Sequence, residues 1–157
     1  MPAAKPESAW RLMIHLPKRR ILCIDRDSVS LRLRSAIVET AGFAAIARTS
    51  IEAGQQLLRK QEFDAVVLDD NTLDGDGALT RLGDVFPAKP IILLSSSAAY
   101  PRTNGFARRV RRFNKQDGPA AFVAALRECM VGDETGDGAG GRKRDHADDG
   151  DASNTAG

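Results

Sequence analysis

The stretch FDAVVLDD, residues 63–70, sets the strongest constraint on the fold: a short, unbroken apolar run that ends in two acids. A strand with one wet face would alternate apolar and polar residues. A continuous run belongs to a strand covered on both faces, as in a parallel sheet. The same form recurs in RILCI (20–24) and PIILLSS (90–96), with FAAIAR (43–48) a weaker copy and VRRFNK (110–115) the poorest. Between these runs lie segments with helical spacing. Residues 28–41 carry Val29, Leu31, Leu33, Ile37 and Val38 and stop at Gly42; 51–59 follow Ser50 as N-cap; 77–86 stop before Pro87; 119–130 begin with Pro119 in the first turn. A strand–helix unit repeated about five times implies a doubly wound parallel α/β sheet.

The 157 residues suit one domain with tails. Residues 1–19 read as a disordered or loosely docked arm whose segment AWRLMIHL is apolar enough to dock, 20–131 as the domain, and 132–157 as a disordered acidic tail without aliphatic periodicity. The tail holds seven acids and three bases, net −4, and the remainder 20 bases and 14 acids, net +6. No apolar run approaches the roughly 20 residues of a membrane span, and no secretory signal is visible, so no membrane partner is expected. Cys23 and Cys129 lie in apolar settings and read as buried thiols of a reducing compartment, the cytoplasm.

In a doubly wound sheet, ligands bind beyond the carboxyl ends of the strands. There the first strand ends in Asp25, Arg26 and Asp27, the third in Asp69 and Asp70, the fourth in Ser95 and Ser96, and the fifth in Lys115. Acids, a hydroxyl and a lysine arriving in that order resemble the receiver domain of two-component response regulators. The centre of the likeness is FDAVVLDDNTLDGDG, residues 63–77, and Gly42 with Phe43 fits as well. The resemblance implies a five-stranded sheet in the flavodoxin-like order 2-1-3-4-5, with Asp69 as phospho-acceptor and Ser95 and Lys115 assisting. It implies magnesium held by Asp25, Asp69 and Asn71, with Asp76 and Gly77 as the later aspartate–glycine pair. A phosphoryl group attacked by a carboxylate brings two anions together, and cations must offset their repulsion. The implied role is a stand-alone response regulator in a phosphorelay, not an enzyme, with a sensor histidine kinase or phosphotransfer protein as partner, acting by protein–protein contact.

Several positions depart from that pattern. Arg26 replaces the second acid, normally a metal ligand, which weakens the expectation of magnesium. Asp27 is the substitute donor if the loop bends, and Arg26 is placed to reach Asp69 or Asp70 as a permanent cation. Alternation along the strand points Asp70 away from the pocket. Leu73 and Gln116 stand where prolines are expected, and Arg112 where the family has its switch aromatic. The region 97–109 is short and contains Pro101 and Gly105, so the fourth helix is expected to be irregular or shortened.

These departures keep a second reading open, a non-phosphorylated pseudo-receiver acting as an interaction module. A remoter one is a haloacid-dehalogenase-like phosphatase, because Asp25 and Asp27 have the spacing of its acid pair; the chain lacks the length and cap of those enzymes. A flavodoxin-like cofactor binder would need a phosphate-binding loop after the first strand, which is missing. RRVRR, residues 108–112, suits a charge-defended edge strand or a docking face for an acidic partner or the acidic tail. No nucleic-acid partner is expected, since no helix-turn-helix follows and aromatics are few.

Overall fold

Apolar runs and helical stripes of this kind can be buried together only by layering helices on both faces of a sheet. The computed structural model describes residues 17–74, 77–96 and 109–131, and the chain is arranged in that way. The strands are β1 (Arg20–Ile24), β2 (Ala44–Arg48), β3 (Ala65–Asp69), β4 (Ile91–Ser95) and β5 (Val110–Asn114). They form one parallel sheet in the order β2-β1-β3-β4-β5. The helices are α1 (Ser28–Thr40), α2 (Ile51–Leu58), α3 (Gly77–Val85) and α4 (Gly118–Val131). Among the described residues, no helix is long and apolar enough to cross a membrane. The expected irregular fourth crossover helix, Asp76, most of the N-terminal arm and the acidic tail lie outside the described residues.

Alternation along the strands divides the core in two. Leu22, Ile24, Val66, Leu68, Ile91 and Leu93 face α2 and α3, with Phe63 and Phe86 closing that cluster. Ile21, Cys23, Val67, Ile92 and Leu94 face α1 and α4, packing against Leu31, Val38, Phe122 and Leu126. Each fully buried leucine or isoleucine contributes about 1.5–3 kcal/mol over its exposed state. Both cysteines are free and buried, and burial pushes the Cys23 thiol up to about 12, so it behaves as a small apolar side chain.

Three local features fix the geometry at the carboxyl edge. Gly54 on α2 lies so close to β1 that a Cβ there would sit 2.5 Å from Ile24 Cδ1. Ser50 caps α2 by accepting from the Ala53 N–H, and Asp27 caps α1 by accepting from Val29 N and Ser30 N. The apolar face assigned to α1 from the sequence needs correction. Val29 and Leu33 are 71% and 64% exposed, while Leu31, Ile37 and Val38 do face inward, joined there by Arg34 and Ser35. A charged residue thus occupies the buried side of α1.

Candidate functional site

Asp25 follows β1 directly and Asp69 is the last residue of β3, so adjacent central strands deliver both carboxylates to one point. Both are essentially inaccessible to solvent. Two buried anions this close require cations, and two side chains supply them. Lys115, just past β5, places Nζ 2.8 Å from Asp69 Oδ1 and 2.7 Å from Oδ2. Arg34 reaches in from α1, with Nη1 2.7 Å from Asp25 Oδ2 and Nη2 3.2 Å from Asp69 Oδ2. Its side chain is only 12% exposed.

The remaining carboxylate positions are also engaged. Asp25 Oδ1 accepts from the Asp27 N–H at 2.8 Å and from Asn71 Nδ2 at 3.0 Å, and Asp69 Oδ1 accepts from the Asn71 N–H at 3.1 Å. Burial pushes the Asp25 carboxyl up, but its hydrogen bonds from Asn71, Arg34 and Asp27 outweigh that and hold it below the ordinary carboxylate range. At Asp69 burial prevails. It raises the carboxyl above its ordinary value against the pull of Lys115 and the Asn71 N–H, and the nearby Asp25 charge adds to the rise.

Asp69, Asp25, Asn71 and Lys115 therefore come together, and Ser95 and Asp70 stand beside them. Ser95 Oγ donates to Asp70 Oδ2 at 2.6 Å, and Asp70 Oδ1 is 3.7 Å from Lys115 Nζ. The expectation that Asp70 points away is corrected: β3 ends at Asp69, and the chain turns into a 3-10 turn, Asp70–Thr72, so strand alternation no longer applies. Arg26 also departs from expectation. Its Nη2 lies 2.8 Å from Asp74 Oδ1, with the two side chains 59% and 74% exposed, and it pairs with neither Asp69 nor Asp70. The buried cation is Arg34, a residue the sequence reading passed over. The available signal was an arginine on the same helical stripe as Leu31 and Val38, two turns from the acid cluster. Asp27 is occupied as the α1 cap, receiving Val29 N, Ser30 N and Ser30 Oγ.

The donor set does not fit a magnesium ion. Each oxygen of Asp25 and Asp69 already accepts a hydrogen bond, the second acid is an arginine, and Asp27 is committed to a helix end. Among the described residues, no three histidine, cysteine or acidic side chains are grouped as a metal cluster. An added cation would also meet Arg34: like unit charges about 4 Å apart repel by roughly 4 kcal/mol at an effective dielectric of about 20.

No protein-family model matches the sequence, and no curated protein matches it. Solved structures do match. A response regulator receiver domain protein from Methanospirillum hungatei superposes with a TM-score of 0.65 at 18% identity, covering 74% of this chain and 97% of that one. A sensor protein from Polaromonas gives 0.65 at 20% identity, covering 74% and 99%. The receiver domain of a sensor histidine kinase from Pseudomonas aeruginosa, solved with magnesium coordinated in its active site cleft, gives 0.59 at 17% identity, covering 73% and 98%. The chain has the receiver fold.

Proposed function

We propose that this chain is a receiver-type signalling module that accepts a phosphoryl group on Asp69 and passes its state on by protein–protein contact. The observation that carries this reading is the convergence of Asp69, Asp25 and Lys115 at the carboxyl edge, with Lys115 Nζ within 2.8 Å of the acceptor carboxylate. The partner class is a sensor histidine kinase or phosphotransfer protein, or a small acyl phosphate. The two buried thiols support a reducing, cytoplasmic setting.

In the transfer, an Asp69 carboxylate oxygen attacks phosphorus and forms the new P–O bond. The P–N bond of a phosphohistidine, or the P–O bond of an acyl phosphate, breaks, and its electron pair leaves with the imidazole or the carboxylate. The imidazole then takes a proton from water. Lys115 turns from the carboxylate to a phosphoryl oxygen and offsets its charge. Ser95 Oγ, now on Asp70, is the neutral donor available for a second phosphoryl oxygen. Receiver-fold neighbours support a signalling role, and the site geometry supports Asp69 as its acceptor.

Acetyl phosphate followed by intact mass tests this reading. One phosphoryl adduct should form, persist in Asp70→Asn and vanish in Asp69→Asn. A second reading, a non-phosphorylated interaction module, is favoured by the Arg34 bridge, because it occupies the acceptor carboxylate. Absence of any adduct from small donors and from a phosphorylated phosphotransfer protein would select it.

A further inference from the structure

A divalent cation between two carboxylates does two things: it holds them at a fixed separation and it cancels their charge. Arg34 does both here. Its guanidinium presents two donors from one rigid plane, one to Asp25 Oδ2 and one to Asp69 Oδ2. It comes from the same face of α1 as the buried Leu31 and Val38, and its side chain is only 12% exposed. The other departures agree with this arrangement. Arg26 has taken the place of an acid and turns outward to Asp74, Asp27 caps a helix, and Asn71 Nδ2 occupies Asp25 Oδ1.

We propose that Arg34 is the resident cation of this pocket, in place of the magnesium that receiver-domain likeness implies, so that the acceptor site is assembled and neutralised by the chain itself and works without a divalent metal. Asp25 is then no metal ligand. It is the anchor that keeps one guanidinium nitrogen fixed while the other is shared with Asp69. When a phosphodonor arrives, Nη2 turns from Asp69 Oδ2 to a phosphoryl oxygen, and Nη1 stays on Asp25. Lys115 meets another phosphoryl oxygen. The bonds made and broken are those of the transfer described above, with the leaving group carrying away the electron pair. This last part rests on the proposed phosphoryl acceptance; the exclusion of metal does not.

Two measurements on the wild-type chain separate those parts. In the first, manganese is titrated while amide signals of residues 25–27 and 69–71 are followed by NMR, and magnesium is titrated while thermal unfolding is followed. Neither ion should give a saturable, site-confined effect. Saturable broadening at these amides that magnesium competes away would overturn the proposal whatever the phosphorylation result.

In the second, phosphorylation by phosphoramidate is timed by intact mass in EDTA and in millimolar magnesium. Equal rates support the proposal. A reaction that needs magnesium overturns it and leaves Asp69 as acceptor. No adduct in either buffer overturns phosphoryl acceptance instead, and the metal titration then decides the role of Arg34. Arg34→Lys keeps a charge but not the fork, which separates the role from simple charge. Metal-free phosphorylation should slow about 10- to 100-fold, the worth of hydrogen bonds to a charged group. A Lys variant that folds and reacts at the wild-type rate counts against the bridging geometry.

Discussion

The loop after β1 and the inner face of α1 each bring an arginine to the carboxyl edge, and the two arginines live in different media. Arg26 pairs with Asp74 in water, where both side chains are more than half exposed. Arg34 pairs with Asp25 and Asp69 where neither acid is accessible. In water the Coulomb gain of a pair is small and largely cancelled by ordering two long side chains. In the buried site each partner depends on the other, because removing one leaves an uncompensated charge. Position along the sequence therefore misleads about importance: the arginine next to the acids is peripheral, and the one on the neighbouring helix holds them.

The largest expected effect breaks the buried side of this contrast. Arg34→Ala should lower unfolding free energy by about 3–5 kcal/mol, since Asp25 then stays buried with only amide donors. Urea unfolding measures it, and a change no larger than that of a surface substitution would place Arg34 outside the core of the fold.

Acidification is the next largest. Asp25 and Asp27 sit below their ordinary carboxylate values, so their contribution is complete above about pH 4 and is lost as pH falls through the depressed folded values. Asp69 is raised and acts oppositely. The folded state takes up its proton first, so stability rises slightly as pH falls through the raised folded value towards the ordinary carboxylate range. Urea midpoints followed as pH falls should pass through a shallow maximum before the acid loss, and Asp69→Asn should remove the rising limb. In Arg34→Ala the acid limb should flatten. An unchanged acid limb in that variant would assign the pH dependence to carboxylates elsewhere. The smallest effect belongs to the exposed pair. Arg26→Ala should change stability by less than about 1 kcal/mol, the range for solvent-exposed ion pairs, and a larger loss in the same urea assay would show that Arg26 reaches further than Asp74.

The sheet was legible because its signals are short-range. Continuous apolar runs gave the strands, Ser50 and Gly42 marked helix ends, and the order of acids, hydroxyl and lysine pointed to the strand order 2-1-3-4-5 that the structure has. The site was legible where a residue sits at or just beyond a strand end, as Asp25, Asp69, Asn71, Ser95 and Lys115 do. Arg34 was hidden because its role depends on the azimuth of α1. Val29 and Leu33 are apolar yet face water, and they drew the inferred stripe away from the true one. Asp70 was misjudged for a related reason. Alternation holds only while the strand lasts, and the backbone coils one residue earlier than the run of acids suggests.

Gly54 extends this dependence to a position with no chemistry of its own. Its missing side chain leaves just enough clearance for Ile24, the residue immediately before Asp25. The fit is a mechanical tolerance: α2 acts as a stop against which the end of β1 is seated. A methyl group at that stop would press first on Ile24, and any displacement not absorbed by its side chain would pass along the backbone to the carboxylate beyond. The strand end that carries one carboxylate of the charge bridge is thus packed from the opposite face of the sheet, against a residue that has no side chain.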